Sequence, residues 1–334
     1  MARIFITGIG GFLGSHLAEW FLERGHEVAG NDTLVGGYME NVPEGAAFHR
    51  VDCTDVEAMK TAMGGSDVVY HTAALSYEGA SVFAPATITE SIYQATSATL
   101  AATAAEGVDR FVYCSSMSRY GENELPFREE MEPRPQDPYA ASKVAAEELT
   151  RVMAECHGFE YVIVVPHNII GPRQRYDDPF RNVASIFINR MLQGQQPIIY
   201  GDGEQKRCFS YVADVVRPLA KLAFREDVCG ETINVGPDDE FVSINSLAET
   251  IADIIDFDLD PVYVRDRPQE VKLANCSADK ARELLGYRPQ YTLRDGLVEM
   301  VDWIDEQGTR EFEYHLDLEI VTDETPETWK NQLI

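Results

Sequence analysis

The sequence predicts an α/β fold in which helices cover both faces of a parallel β-sheet and a smaller lobe follows toward the carboxyl end. Three observations support this prediction. Short strand patterns rich in Val and Ile alternate with helical patterns along most of the chain, which is typical of parallel sheets buried on both faces. A glycine-rich turn joins the first strand pattern to the first helical pattern. Small and polar residues directly follow the predicted strands, at the edge where such sheets bind ligands.

The glycine-rich turn predicts a dinucleotide site. A strand pattern, Arg3–Thr7, precedes it, and a helical pattern and a second strand pattern (residues 27–30) follow it. In the Gly-x-x-Gly-x-x-Gly spacing, the first glycine permits a tight turn, the second lets backbone amides approach a pyrophosphate, and the third lets helix and strand pack closely. We therefore expect a Rossmann-type doubly wound sheet. The residues expected to hold the cofactor here are Gly8, Gly11, Phe12, Leu13 and Gly14.

Asp32 closes the second strand pattern. A carboxylate at this position accepts hydrogen bonds from the adenosine ribose hydroxyls and repels a 2′-phosphate, which favours NAD over NADP. The alternative is a turn aspartate in the pair Asn31-Asp32.

The alternation of strands and helices then continues. Strand patterns at 47–51, 67–71 and Arg110–Cys114 are separated by helical patterns at Val56–Met63 and 88–106. The residues after these strands, where we expect ligands, are Asp52, Cys53, Ala73, Ala74, Ser115, Ser116 and Ser118. Serines also follow strands as ordinary turn formers and caps.

Tyr139 and Lys143 stand four residues apart at the start of a helical pattern that runs to residue 156. Positions i and i+4 share one face of a helix. A free tyrosine is a poor base at neutral pH, and a neighbouring cation lowers its pKa, so the pair predicts an acid/base catalyst. Taken alone, such a pair is common on exposed helices. The predicted dinucleotide site and the serines that follow the strands favour the catalytic interpretation.

Composition excludes several classes of function. The 334 residues include 28 Lys and Arg against 56 Asp and Glu, a formal net charge of −28, which argues against nucleic acid or anionic membrane as a partner. The acidic surface indicates either a salt-rich cytoplasm that screens the charge or simply an acidic enzyme. No Cys-x-x-Cys pair and no histidine ligand spacing is present, so neither a disulfide framework nor a metal site is predicted. No apolar run reaches the length of a membrane helix and no signal-peptide pattern opens the chain, so we expect a cytoplasmic protein.

These motifs recur, in this order, in the extended short-chain dehydrogenase/reductase family. The sequence most resembles its NAD-dependent nucleotide-sugar epimerase/dehydratase branch, of the UDP-galactose 4-epimerase kind. The segment His71-Thr72-Ala73-Ala74, the serine motif 115–121 and the pair Tyr139/Lys143 carry the resemblance, which covers essentially the whole chain. Residues 164–174 resemble the family segment that leads from the cofactor to the sugar nucleotide. Residues 200–209 resemble the stretch that binds uridine and phosphate. Residues 265–271 resemble the motif whose arginine binds the diphosphate.

The resemblance implies a role for each matching residue. Tyr139, Lys143, Ser116 and Ser118 would be catalytic. Cofactor contacts would add Asp32, Asp52, Cys53, Ala73, Ala74, Pro166 and His167 to the glycine turn. Substrate contacts would come from Ser116, Tyr139, Asn168, Asn182, Tyr200, Arg207, Arg267, Glu270 and Ala274. Arginine also suits phosphate on chemical grounds, because its guanidinium is a planar fork of donors.

The sequence departs from the family pattern at two places. Where relatives carry Asn-x-x-Gly-Thr, this chain has Ile92-Tyr93-Gln94-Ala95-Thr96, so a polar group is missing or is replaced by Ser91 or a water. Where relatives carry Tyr-Phe, it has Pro166-His167. His167 would line the nicotinamide side of the pocket or act as a packing residue.

The serine motif distinguishes among reactions. Dehydratases of the family have Asp-Glu after the first Ser or Thr, and decarboxylases keep a glutamate, because those reactions need a further acid or base. This chain has Met117, Ser118 and Arg119 there, which favours 4-epimerisation of a UDP-sugar such as UDP-glucose or UDP-galactose. The small Ala274 predicts room for an N-acetyl group. A uronic acid substrate stays open, with Arg119 or Arg173 receiving its carboxylate, and so do the functions of a dehydratase, a reductase and a non-catalytic NAD sensor.

We expect an NAD-binding domain at 1–167 with a return at about 204–236, a nucleotide-sugar lobe at about 168–203 and 237–310, and an acidic tail at 311–334. The tail would be an extra strand or a mobile lid. The resemblance implies a homodimer in which the helices at 88–106 and 139–156 of each subunit form a four-helix bundle.

Overall fold

The structure is a computed structural model that describes residues 1–334. Its strands are β1 (Arg3–Thr7), β2 (Glu27–Asn31), β3 (Ala47–His49), β4 (Val68–His71), β5 (Arg110–Cys114), β6 (Glu160–Pro166), β7 (Ile169–Ile170), β8 (Ile198–Tyr200), β9 (Lys206–Cys208), β10 (Ser210–Tyr211), β11 (Thr232–Val235), β12 (Phe241–Ser243), β13 (Val262–Val264) and β14 (Leu273–Ala274). Its helices are α1 (Phe12–Leu22), α2 (Val56–Met63), α3 (Pro85–Thr89), α4 (Ala95–Glu106), α5 (Pro138–His157), α6 (Val183–Leu192), α7 (Val212–Lys221), α8 (Ile244–Ile255), α9 (Asp279–Leu285), α10 (Leu293–Gln307) and α11 (Glu327–Lys330).

Seven strands form one parallel sheet in the order β11-β6-β5-β4-β1-β2-β3. The chain moves outward from β1 through β2 to β3 and then returns to β4 on the other side of β1. This reversal makes the ends of β1 and β4 a topological switch point, where open sheets of this kind bind ligands. Thr7 and His71 lie side by side there. The predicted Rossmann-type doubly wound sheet is confirmed.

Helices cover both faces of the sheet and define two apolar cores. On one face α1 packs on α7, and on the other α2, α4 and α5 pack side by side. The consecutive residues Ile4 and Phe5 are fully buried in the two different cores, because successive side chains of a strand face opposite sides of the sheet. Burial on both faces explains why these strands read as continuous apolar runs rather than as alternating ones.

A smaller lobe packs α6, α8 and α10 around a third apolar core. Short strand pairs, β8 with β13 and β9 with β12 and β14, join it to the cofactor half. These elements come from separate stretches of the chain, and they place residues 198–209 and 265–274 beside one another.

Two elements differ from the sequence prediction. The helix predicted at 88–106 is interrupted by a π-helical turn at Glu90–Gln94, between α3 and α4; such turns in helices are frequent at functional sites. The tail at 311–334 contributes no strand: it runs over the surface as an irregular segment and ends in α11. No helix of the chain has both the length and the apolar character needed to span a bilayer.

Candidate active site

A cavity of about 590 Å³ opens at the carboxyl ends of the sheet strands, between the sheet and the smaller lobe. Most predicted site residues line it, including the glycine turn, Asp32, the serine motif, Tyr139 and both predicted phosphate-binding arginines. Residues far apart in the sequence therefore meet in one space large enough for a cofactor and a substrate.

The glycine turn follows β1 and leads directly into α1. Gly8 has a φ of +73°, a backbone conformation that glycine adopts without strain. A Cβ on Gly14 would lie only 2.2 Å from the Gly8 carbonyl oxygen, so turn and helix could not approach this closely with any other residue. The amides at the start of α1 face the cavity, and a helix amino terminus favours phosphate. This cradle fits the pyrophosphate of a dinucleotide.

Asp32 lies just beyond β2 and is nearly buried. Its carboxylate accepts hydrogen bonds from the amides of Gly10 (2.9 Å) and Leu34 (2.7 Å). Burial raises the pKa of Asp32, while these bonds and the positive charge of Arg181 oppose the rise. Asp52 and Cys53 line the same end of the cavity. The position and chemistry of Asp32 fit the adenosine ribose of NAD.

His71 joins three elements beneath the cavity floor. Its Nδ1 lies 2.8 Å from the Thr7 hydroxyl and its Nε2 lies 3.0 Å from the Thr96 hydroxyl. Burial lowers the pKa of His71 to about 3, so the ring stays neutral. The Thr7 hydroxyl also accepts from the amides of Thr72 and Ala73. This network fixes the backbone at Ala73 and Ala74, which line the cavity.

Tyr139 is presented by the first turn of α5. Asp137 caps this helix by accepting from the Ala140 amide at 2.8 Å, and Pro138 occupies the first turn, both typical of a helix start. Burial raises the pKa of the Tyr139 phenol to about 12, hydrogen bonding from Ser116 and Ser76 lowers it, and the Glu78 charge raises it.

Lys143 lies one turn further along α5 on the same face, as predicted. Its ammonium donates a 2.8 Å hydrogen bond to the Cys114 carbonyl and lies 5.9 Å from the centre of the Tyr139 ring. Burial lowers the pKa of Lys143 to about 8. Burial is thus the main influence on both groups, and the lowered tyrosine pKa expected from the pair is not found in the protein alone.

The serine motif forms a 3-10 turn after β5. Ser116 faces the cavity, and the Ser118 hydroxyl donates to the Ser116 oxygen at 2.9 Å. Ser118 itself does not line the cavity. It is therefore placed behind Ser116 rather than against a substrate.

Arg119 is buried in an ion pair away from the cavity. Its Nε and Nη2 each lie 2.9 Å from the Glu147 carboxylate, and both side chains are at most 4% exposed. The Ser115 hydroxyl donates to the same carboxylate at 2.5 Å. Arg173 is likewise occupied, because it pairs with Glu19 at 2.8 Å. Neither arginine is available to a uronic acid carboxylate, contrary to the expectation from the sequence.

The substrate side of the cavity combines amides, arginines and one aromatic ring. Its predicted members that line the cavity are Asn168, Asn182, Tyr200, Arg207, Arg267 and Glu270, together with Pro166 at the end of β6. Arg267 pairs with Glu270 at 2.9 Å. Arg207 has no carboxylate partner; it donates to the backbone carbonyls of Lys206, Val271 and Lys272, so its positive charge is not neutralised by an ion pair.

Besides Ser118, two predicted residues do not reach the cavity. His167 is fully buried, with its Nε2 2.9 Å from the Pro237 carbonyl oxygen, and burial lowers its pKa to about 4. Ala274 is 6% exposed and pairs with Arg207 across β14 and β9, packing into the core beneath the sheet. His167 is thus placed as a packing residue, and Ala274 lies outside the cavity, where its small size would not itself make room for an N-acetyl group.

The structure also adds residues that the sequence reasoning missed. Glu78 lines the cavity, and its side chain is accessible to solvent there. Desolvation by the surrounding protein and the nearby Asp137 raise its pKa to about 7, while Arg207 and Arg267 lower it. Ser91 of the π-helical turn, considered from the sequence as the replacement for the asparagine of relatives, also lines the cavity, whereas Ile92 does not. Arg181 lies over the Tyr77 ring and its charge reaches Asp32. The dense charge of residues 175–181 was the only available signal for Arg181.

Comparison with known proteins places this site in a family context. The model of the NAD dependent epimerase/dehydratase family matches residues 4–236. A UDP-N-acetyl-alpha-D-glucosaminuronate decarboxylase from Bacillus cytotoxicus is 31% identical over 319 residues, covering 91% of this chain and 98% of that protein.

Solved structures are similar over the same extent. The UDP-glucose 4-epimerase of Thermotoga maritima, solved with UDP-glucose, has a TM-score of 0.85 at 31% identity, over 91% of this chain and 99% of that one. The UDP-glucuronic acid 4-epimerase of Bacillus cereus, solved with UDP-glucuronic acid and NAD, has a TM-score of 0.85 at 28% identity, over 92% of this chain and 100% of that one.

Proposed function

The chain belongs to the NAD dependent epimerase/dehydratase family, and from this premise we propose that it is a 4-epimerase of a neutral UDP-sugar, such as UDP-glucose and UDP-galactose or their N-acetyl forms. That it is an NAD-dependent enzyme acting on nucleotide sugars follows from the family. One observation supports the narrower reaction. Tyr139 and Ser116 face the cavity, while the positions that carry Asp-Glu in dehydratases hold Met117 and Ser118.

When bound, NAD would supply reversible hydride transfer to and from the sugar carbon, so that it would not be consumed. The glycine turn and Asp32 would hold its pyrophosphate and adenosine ribose, and Lys143 would bond its nicotinamide ribose. This requires the Lys143 ammonium to exchange its bond to Cys114 for the ribose hydroxyls, or to make both at once.

Tyr139 would take the proton from the sugar hydroxyl and return it after the sugar has turned over. A phenol with a pKa of about 12 is a weak base at neutral pH, so positive charge in the completed site must favour the phenolate. Ser116, oriented by the Ser118 hydroxyl, would donate to the oxygen that becomes a ketone, where negative charge develops.

Arg207 and Arg267 would bind the diphosphate, and Asn168, Asn182 and Tyr200 would complete the nucleotide side of the site. Arg207 supports this role most directly, because it lines the cavity without a carboxylate partner. Guanidinium groups bind phosphate oxygens in a bidentate manner.

The charge of the site supports a neutral sugar over a uronic acid. Arg119 and Arg173 are both held in ion pairs with Glu147 and Glu19. The Glu78 carboxylate projects into the cavity and would repel a second carboxylate. The two arginines expected to receive a uronic acid carboxylate are thus occupied, and Arg207, the cavity arginine without a carboxylate partner, is assigned to the diphosphate.

One observation favours a second candidate, a dehydratase. Glu78 influences Tyr139 and has a pKa near neutrality, which suits an acid or base in an elimination. A non-catalytic NAD sensor is a weaker alternative, because this chain keeps Tyr139, Lys143 and Ser116 at the cavity.

The test is an assay of purified protein with UDP-glucose, UDP-galactose, their N-acetyl forms, UDP-glucuronic acid, and GDP-, CDP- and dTDP-sugars. Products are identified by NMR, and ligands retained from the cell are identified by mass spectrometry. We expect interconversion of a neutral pair differing at C4. A 4-keto-6-deoxy product would establish the dehydratase, turnover of UDP-glucuronic acid alone would contradict the neutral-sugar proposal, and turnover of GDP-, CDP- or dTDP-sugars alone would contradict the uridine nucleotide.

We also propose a cytoplasmic homodimer. All six cysteines are free, and one of them, Cys156, is exposed, which suits a reducing compartment. A row of exposed small or apolar residues, Ala141, Ala145 and Val152, lies along α5, next to exposed Tyr93 and Ser97 before and within α4. Small residues on neighbouring helices allow the close approach that a four-helix bundle requires. Light scattering should give twice the 37.4 kDa chain mass, and Val152→Glu should give the monomer.

A further inference from the structure

The acidic tail, residues 311–334, runs from the lobe to the cavity. It begins beside the lobe, where the Glu313 amide donates to the Asp177 carbonyl at 2.8 Å. It ends inside the site, because Ile334 lines the cavity. Between these points it makes two sets of contacts, one with the loop between β4 and α3 and one around Tyr200.

The first set holds the loop between β4 and α3, which carries Glu78. The amides of Glu319 and Ile320 both donate to the Phe83 carbonyl, at 2.8 and 2.9 Å. The Glu319 carboxylate accepts from the amides of Ala86 and Thr87 and from the Thr87 hydroxyl at 2.7 to 2.9 Å. Five hydrogen bonds from one stretch of tail thus fix this cavity loop to the tail.

The second set surrounds Tyr200 on the substrate side. The Tyr200 hydroxyl lies 2.5 Å from the Thr328 hydroxyl. The Trp329 ring, 4% exposed, packs against Tyr200, Phe180 and Phe83 with ring centres 5.3 to 6.2 Å apart. Such aromatic contacts add to the apolar area buried, so the tail is firmly anchored at this point.

Arg267 lies directly on this aromatic cluster. Its guanidinium carbon is 4.8 Å from the centre of the Tyr200 ring and 6.0 Å from that of Trp329. The loop between β4 and α3 also lies against this side chain, since a Cβ on Gly79 would lie 3.3 Å from the Arg267 Nη1 and 3.6 Å from Trp329. The Arg267 side chain therefore has little conformational freedom, because it contacts the rings of Tyr200 and Trp329, lies against Gly79 and pairs with Glu270.

We propose that residues 311–334 form a wall of the substrate site and that Trp329 is a positioning residue, which holds Arg267 in place for the diphosphate of the nucleotide sugar. This proposal rests on the proposed function. An arginine ordered before binding loses less conformational freedom when it binds phosphate, and cation–π contact with two rings supplies that order. The tail should therefore set the affinity for the nucleotide sugar and leave NAD binding unchanged.

The experiment compares four variants of the full chain. Trp329→Ala removes the ring, Trp329→Phe keeps an aromatic surface, and Thr328→Val removes only the hydroxyl that meets Tyr200. Leu316→Ala is the matched control. Leu316 is buried in the same apolar cluster as Trp329, but Arg267 lies against Tyr200, Trp329 and Glu270 rather than against Leu316. KM and kcat for the nucleotide sugar, the Kd of NAD and Tm are measured for each.

We expect Trp329→Ala to raise KM about tenfold or more with kcat and the Kd of NAD within about threefold of wild type. Trp329→Phe should recover most of the loss, and Thr328→Val should raise KM by a smaller factor. Leu316→Ala should lower Tm without raising KM. If Trp329→Ala and Leu316→Ala lower Tm alike and leave KM unchanged, or raise it equally, the tail is structural only and the proposal is wrong.

Calorimetric titration of UDP separates failure of this proposal from failure of the proposed function. Binding of UDP to wild type that weakens in Trp329→Ala supports the wall even without turnover. Binding that is unchanged in Trp329→Ala overturns the wall alone. No binding of UDP to wild type overturns both proposals.

Discussion

The cofactor half and the substrate half of the cavity are built in different ways. The cofactor half consists of residues that end successive strands of one rigid sheet, and it depends on backbone shape and on the carboxylates of Asp32 and Asp52. The substrate half is assembled from separate segments of the lobe, the β4–α3 loop and the tail, and it depends on charged side chains. A site made from strand ends is fixed by the fold itself. A site made from distant segments is fixed by side-chain partners, so its specificity can change while the fold stays the same.

The largest expected effect lies where the two halves meet. Tyr139→Phe should reduce turnover by about three orders of magnitude, because the acid/base group is lost, and should leave the Kd of NAD within about threefold. Tyr291→Phe, at an exposed tyrosine outside the cavity, is the control. If Tyr139→Phe turns over near the wild-type rate, another group carries the proton. If neither wild type nor Tyr139→Phe turns over any nucleotide sugar, the NAD sensor is favoured.

The cofactor half should be the more sensitive to shape. Gly14→Ala places a methyl group 2.2 Å from the Gly8 carbonyl oxygen, so the turn must shift even though alanine favours helices. We expect NAD to bind at least about tenfold more weakly and Tm to fall, because close packing of helix and strand is lost. Gly25→Ala, where a Cβ would meet nothing within 4 Å but the positive φ of +78° is strained for alanine, is the control: it should lower Tm without weakening NAD binding. Equal NAD affinity in Gly14→Ala and wild type would contradict the assigned cradle.

The substrate half should be the more sensitive to charge, and Glu78 tests this through pH. Desolvation in the cavity and the charge of Asp137 raise the pKa of Glu78 to about 7, although Arg207 and Arg267 lower it. Glu78 is therefore mainly protonated at pH 6 and mainly ionised at pH 8. Ionisation places a negative charge near the diphosphate site, so wild type should bind UDP-glucose about threefold to tenfold more weakly at pH 8, which is at most about 1.4 kcal/mol. Glu78→Gln should remove this dependence.

The same variant separates the two candidate reactions. A 4-epimerase should keep its turnover within about tenfold in Glu78→Gln, because Tyr139 carries the proton. A loss of a hundredfold or more, with binding retained, would identify Glu78 as an acid or base and favour the dehydratase. Glu90→Gln, at an exposed residue that does not line the cavity, is the matched control.

The smallest effect concerns both halves equally. A formal charge of −28 implies self-repulsion that salt screens. If the protein belongs to a salt-rich cytoplasm, Tm should rise by several degrees between low salt and molar KCl. No rise would indicate an ordinary acidic enzyme, and the ligand sites would be unaffected by either result.

Sequence reasoning succeeded where the information is local. The helix predicted at 139–156 was observed as Pro138–His157, and the strand predicted at Arg110–Cys114 has those bounds. Periodicity, a capping aspartate and a glycine turn act within a few residues. The same reasoning could not see that the 88–106 helix contains a π-helical turn, because no short-range pattern marks one.

The sequence by itself determined the parallel sheet, the dinucleotide turn, the shared face of Tyr139 and Lys143, and the family. Only the tertiary structure decided that Arg119 and Arg173 are paired with Glu147 and Glu19, that His167 and Ala274 lie outside the cavity, and that Trp329 of the tail lies against Arg267. The physical reason is range. Backbone conformation follows from near neighbours in the chain, whereas each buried charge must find a partner that the folded chain brings to it from far along the sequence.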